Sequence, residues 1–115
     1  MNSAGIKKIS EDKVWMKYFP CESAQIDFPH CTAYTYLKEA NSHRMNEVAV
    51  HYYGADITFT DLVQRVEKTA KAFAALGVKE GDIVSFLAVA TPETIAALYA
   101  LNKLGAAANT IDPRM

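Results

Sequence analysis

Cysteine is scarce in this chain: two in 115 residues, Cys21 and Cys31. One bridge is the most they could form, which excludes a disulfide framework as the source of stability. They read as reduced thiols, and a cytoplasmic protein is the expectation. No C-x-x-C occurs, and His30, His43 and His51 are too scattered for a metal set, so no metal ligand is nominated. No apolar run approaches the roughly 20 residues that a membrane helix requires. The first residues lack an apolar signal core, so secretion is not expected. An excess of one charge is also missing: 12 Lys and Arg against 13 Asp and Glu leave a net charge of -1. That balance gives no reason to expect a nucleic-acid partner. Glycine occurs only at positions 5, 54, 77, 81 and 105, and neither G-x-G-x-x-G nor G-x-x-x-x-G-K-[ST] can be found.

What is present is enough apolar sequence for one ordinary domain, since half of the residues are hydrophobic. Residues 1–12 read as a disordered, solvated tail, with Glu11 and Asp12 set among Lys7, Lys8, Lys13 and Lys17. Val14 to Pro20 is an aromatic cluster, expected to lie against a surface through Trp15 and Phe19. Pro20 to Pro29 reads as extended chain. Thr32 can cap a short helix over 33–41, with Tyr34 and Leu37 on its apolar face. Val48–Tyr53 alternates as a strand, Gly54-Ala55-Asp56 forms a tight loop, and Ile57–Phe59 returns as a hairpin arm.

From there the helix starts, helix stops and strands alternate strictly. Thr60 can serve as an N-cap, and Leu62, Val66, Ala70, Phe73 and Leu76 repeat at helical spacing. Glu67 and Lys71 fall on the wet face as an i,i+4 pair. Gly77 supplies a left-handed stop, with Val78 folding back on Phe73. Ile83–Val89 is almost continuously apolar, as in a strand buried on both faces. Thr91 caps a second helix, Pro92 suits its first position, and Gly105 ends it before a strand over 106–111. The fold class is therefore α/β: a hairpin plus βαβαβ with parallel strands. The helix over 92–104 has almost no polar face, so it is expected to need cover from further protein or from a second copy.

Strands feeding helices invite a nucleotide site, but the residues after the first parallel strand argue against one. Pro92 removes an N–H that a phosphate would use, and Glu93 places negative charge at the helix start. Asp56, Asp61, Asp82 and Asp112 sit at turns or caps, where local backbone hydrogen bonds account for them. A nucleophilic cysteine would lack a base partner. No catalytic residue is nominated.

The ordered block resembles the AMP-forming acyl-CoA synthetases, within the adenylate-forming enzymes. The residues that carry the resemblance are Ile57–Leu62, Ala75–Asp82, Thr91-Pro92-Glu93, Lys103–Ala106 and Asp112-Pro113-Arg114. Trp15–Pro20, Thr32–Leu37 and Val50–Gly54 are most similar to the fatty-acid–CoA ligases. Two departures stand out: Val89-Ala90 where the family often has Pro-Asn, and Asp112 where it often has Asn. The resemblance covers residues 13–115 and implies the N-terminal part of the adenylation domain, with the C-terminal remainder, including the Thr/Ser/Gly-rich phosphate loop, lying beyond Met115. It further implies a parent ligase in fatty acid metabolism that uses ATP, Mg2+ and CoA, while this chain alone is inactive. The implied partner is the remainder of the same polypeptide. Arg114, placed after a strand end, is the one candidate for substrate contact, through a CoA phosphate. The alternative is a stand-alone α/β interaction module that dimerises through helix 92–104. Titrating these 115 residues with ATP in a calorimeter is expected to give no binding at the roughly micromolar level; binding at that level would contradict the reading of Pro92 and Glu93.

Overall fold

The ends of each element follow from local hydrogen-bond chemistry. In the computed structural model, which describes Val14–Tyr18 and residues 29–114, Thr32 has extended backbone and its Oγ1 accepts the Thr35 N–H at 3.1 Å. This opens helix α1, Ala33–Ala40, as its capping residue predicts. Val14–Tyr18 is a short 3-10 segment. Trp15 there is 42% exposed and takes no part in the buried core, contrary to its expected role as an anchor. The side chains of a 3-10 turn eclipse at i and i+3 and do not sweep out a broad apolar face. The expected tail over 1–12, the anchor Phe19 and the extended stretch over 20–28 lie outside the described residues.

Strands β1 (Val48–Tyr52) and β2 (Ala55–Thr58) pair antiparallel. Their loop is only Tyr53-Gly54, and the expected three-residue loop over 54–56 is corrected accordingly. Both residues have positive φ, 47° and 82°, which is the type I′ geometry that matches strand twist. A bulge between Val48 and Val50 disturbs the expected alternation. Helix α2 runs Phe59–Ala75, and its N-cap is Thr58, not Thr60. Thr58 Oγ1 accepts the Asp61 N–H at 3.1 Å while the Asp61 carboxylate reaches back to the Thr58 N–H, a capping box. Thr60 instead donates its hydroxyl to the Met45 carbonyl at 3.0 Å, tying the helix to the segment before β1.

Helix α2 ends as the Leu-Gly-Val sequence predicts. Val78 N–H donates to the Phe73 carbonyl and Gly77 N–H to that of Ala74, both at 3.0 Å. Helix α3, Pro92–Lys103, begins at Thr91 with Pro92 in its first turn and ends in the same Schellman pattern. Ala106 N–H donates to Leu101 and Gly105 N–H to Asn102. Between the helices, β3 (Ile83–Leu87) and, after α3, β4 (Ala107–Ile111) pair in parallel from Ile83↔Ala107 to Leu87↔Ile111. The α/β class, the hairpin and the order of elements agree with the sequence reading. The pairing of β2 does not: it joins β1 only, so the described residues form two separate two-stranded sheets.

The core lies between the helices. Tyr34, Ile57, Leu62, Val66, Ala70, Ala96 and Ala100 form one buried cluster, with Leu37, Phe73, Ile95 and Tyr99 packed against it. Burying one Val or Leu side chain of this kind contributes about 1.5–3 kcal/mol. Helix α3 is flanked by α1 and α2, so much of the cover that its composition demands comes from within the chain. The open apolar surface lies elsewhere. Strand β3 alternates exposed and half-buried residues, with Ile83 74% and Leu87 68% exposed. The expectation of a strand buried on both faces is therefore corrected: an apolar run reports a demand for cover, and a two-stranded sheet supplies little of it.

Gly105 joins the end of α3 to the turn before β3. Its φ is +73°, its carbonyl accepts the Gly81 N–H at 3.0 Å, and a Cβ there would lie 2.9 Å from Glu80 Cγ. Gly77 has φ +94°, but a Cβ at that position would meet nothing within 4 Å. Gly77→Ala is expected to cost about 1 kcal/mol through backbone conformation alone. Gly105→Ala should cost at least about 1 kcal/mol more, because a contact is added to the same conformational penalty. Urea unfolding midpoints of the two variants check the order, and equal losses would contradict the packing argument.

Candidate functional site at the carboxyl edge of the parallel pair

In an open α/β arrangement, ligands are met beyond the carboxyl ends of parallel strands, where chain segments diverge. Here that edge is made by Ala88-Val89-Ala90 after β3 and by Thr110–Arg114 at the end of β4. Ala88 N–H donates to the Ile111 carbonyl at 3.4 Å, which holds the two exits side by side. A cleft of about 440 Å³ opens between them, lined by Ala88, Val89, Ala90, Thr110, Ile111, Asp112 and Arg114. Its walls are small and mostly apolar, and its charged groups are Asp112 and Arg114.

Those two charges meet each other. Asp112 Oδ1 accepts the Arg114 backbone N–H at 2.9 Å, a turn formed across Pro113. The same carboxylate accepts Arg114 Nε at 2.9 Å and Nη2 at 2.6 Å, a two-pronged ion pair. The guanidinium beside it holds the Asp112 carboxyl below its usual range, with the backbone N–H adding to the effect. Reciprocally, Asp112 raises the Arg114 pKa. The Arg114 side chain is nonetheless 82% exposed, so the pair is solvated. Sequence reasoning nominates Arg114 and assigns Asp112 only to local backbone bonds. The signal for their pairing is nonetheless present, as opposite charges two residues apart held by a proline.

The start of α3 is also near this edge, and its groups do not suit a phosphate. Thr91 Oγ1 accepts the Thr94 N–H at 3.3 Å, and Thr94 Oγ1 donates to the Val89 carbonyl at 2.7 Å. Pro92 is buried and offers no N–H. Glu93 accepts from Arg65 Nη1 at 3.2 Å, a solvated link between α2 and α3.

A second polar cluster joins all three helices. Tyr34 Oη donates to Glu67 Oε1 at 2.5 Å, and Lys103 Nζ donates to Glu67 Oε2. Lys103 also lies over the Tyr34 ring, 5.5 Å from its centre. Asn102 Oδ1 accepts the Tyr34 backbone N–H at 2.9 Å, satisfying a donor in the first turn of α1. The expected Glu67–Lys71 surface pair is thus replaced by partners on two other helices. Hydrogen bonds from Lys103 and then Tyr34 lower the Glu67 pKa. Burial, followed by the bond to Glu67, pushes the Tyr34 phenol up.

A sequence model described as AMP-binding enzyme matches residues 37–115, more than half of the chain. The chain belongs to the AMP-binding enzyme family. The chain is 36% identical over 74 residues to the 3-hydroxypropionyl-coenzyme A synthetase of Sulfurisphaera tokodaii, covering 60% of this chain and 11% of that protein. It is 31% identical over 84 residues to the peroxisomal trans-cinnamate:CoA ligase of Petunia hybrida, covering 73% of this chain and 15% of the relative. The fold matches the crystal structure of an anthranilate CoA ligase in complex with anthranoyl-AMP. That match has a TM-score of 0.71 at 26% identity and covers 77% of this chain and 17% of the other. This chain therefore spans about a tenth to a sixth of the length of the relatives it matches. Among its described residues, no helix is long and apolar enough to cross a membrane.

The helix-joining carboxylate gives a pH dependence with a definite sign. A Glu whose folded pKa lies below its unfolded value, about 4.3, stabilises the fold above that value. The contribution is lost as pH falls through the folded pKa. Glu67→Gln is expected to be less stable than the parent chain near neutral pH, with the gap closing as pH drops below about 4.3. Thermal unfolding of both chains across that range checks it, and a gap independent of pH would count against the network.

Proposed function

We propose that this chain is the N-terminal scaffold segment of an ATP-dependent ligase that joins a fatty-acid-like acid to CoA. The observation that carries this reading is the family match over residues 37–115. The names of the relatives, two of them CoA ligases and one a coenzyme A synthetase, favour CoA as the acyl acceptor. Their acids differ widely, so the fatty-acid-like substrate rests on the resemblance of Trp15–Pro20, Thr32–Leu37 and Val50–Gly54. In this reading the longer protein works in the cytoplasm with ATP and Mg2+, and its chemistry is the supply of an activated acyl-adenylate that CoA then takes up. The remainder of the same polypeptide is the partner of this segment.

The role of these residues is structural support plus one contact. The capped start of α3 and the Schellman ends of α2 and α3 set the position of β3 and β4. The carboxyl edge of that pair then presents Arg114, whose fork of donors suits a phosphate. The Asp112 pair uses Nε and one Nη2 proton, which leaves three of the five guanidinium protons outside it.

Two measurements test the reading. The 115-residue chain mixed with ATP, Mg2+ and a fatty acid should yield no acyl hydroxamate when hydroxylamine is the trap; product formation would overturn the assignment as scaffold. In a longer ligase that carries this segment, Arg114→Ala should raise the KM for CoA about tenfold, the loss of one charge-assisted hydrogen bond, with ATP–pyrophosphate exchange unchanged. An unaltered CoA dependence would remove Arg114 from the site.

A further inference from the structure

The carboxyl-edge cleft contains its own counter-anion. Asp112, Pro113 and Arg114 form one turn in which a single carboxylate takes both the backbone N–H and the guanidinium of Arg114. Proline at the centre limits the backbone freedom of the turn, so carboxylate and guanidinium stay within reach of each other. Both groups line the cleft along with Ala88, Val89 and Ala90 on the opposite wall. A phosphate ester that enters must either draw Arg114 off Asp112 or share it, and in both cases its charge comes close to the carboxylate.

The energetics favour a latch that opens. A solvated ion pair is held weakly because water competes for both partners. A phosphate carries more charge than a carboxylate and offers a fork of oxygens to the same donors. Asp112 therefore does not block the edge, but it opposes an anion twice, as a competitor for the guanidinium and as a like charge beside it. We propose that Asp112 is an affinity-setting latch on Arg114, lowering the strength with which this edge binds a nucleotide phosphate. The proposal rests on the reading of Arg114 as a phosphate contact and adds a residue that tunes it.

Asparagine is the informative substitution. Its side-chain oxygen can still accept the Arg114 backbone N–H, so the turn at 2.9 Å is kept while the charge is removed. Binding of CoA and, separately, of ATP to the 115-residue chain would be followed by the 15N-edited signal of Arg114 Nε–H, together with chemical-shift changes in Ala88–Ala90. Asp112→Asn is expected to bind CoA about fivefold more tightly than the parent chain at low salt. The gain should shrink near about 1 M salt, where charges are screened beyond about 3 Å. It should vanish in the Asp112→Asn, Arg114→Ala double variant. In the parent chain, the Arg114 Nε–H signal should move on addition of CoA as the pair opens.

The outcomes separate the two ideas. If Arg114→Ala weakens CoA binding but Asp112→Asn binds equally or less tightly, the phosphate contact stands and the latch is refuted. Unchanged binding by Arg114→Ala, or no CoA-dependent shift in any variant, refutes the contact reading and the latch with it. A gain for ATP in place of CoA supports the latch and reassigns the nucleotide.

Discussion

Everything described in this chain depends on the close approach of helices α2 and α3. Val66 and Ala70 from one, and Ala96 and Ala100 from the other, belong to a single buried cluster. Small side chains let two helix axes come near, and at short range the gain from dispersion and burial is greatest. Helix α1, the hairpin and the parallel strands attach to that pair. Tyr34 brings α1 onto it, Ile57 brings the hairpin, and the two Schellman ends deliver β3 and β4 to the same side. Were the helices farther apart, Glu67 could not reach Lys103, and the polar tie among the three helices would be lost.

The candidate site inherits this arrangement at one remove. No functional side chain comes from the packed cluster; the cleft residues all follow strand ends or close them. Rigid packing sets where the strands stop, and short exits after them carry the adjustable chemistry. The charges there are solvated, in contrast to the half-buried Glu67 group. That contrast matches their roles: one set fixes the scaffold, and the other stays accessible to a ligand.

Features written in neighbouring residues are legible in the sequence, and features that join distant residues are not. Thr32, Thr91, Gly77 and Gly105 mark helix ends within a few residues, and each lies where its chemistry places it. Thr58 escapes a sequence reading because Thr60 offers the same hydroxyl, and only the reciprocal bond with Asp61 distinguishes them. The partners of Glu67 lie on two other helices, beyond the range of any local pattern. The exposed face of β3 is not legible either, because apolar composition cannot say which neighbours exist. At the site, Arg114 is found from its place after a strand end, whereas Asp112, though only two residues away, is read as a turn former until the geometry shows its carboxylate also accepting the guanidinium.

The position of Glu80, where a side chain at 105 would stand, has a consequence for how this sequence can drift. Shortening Glu80 to alanine would remove the Cγ that a Cβ at position 105 would meet at 2.9 Å but leave the Cβ of residue 80, which it would meet at 3.3 Å. The backbone of Gly105 would still carry a positive φ. Position 80 can therefore change without reference to position 105, whereas position 105 cannot be released by any change at position 80. The dependence runs in one direction, and along a lineage it would leave Gly105 constant while its neighbour across the turn varies.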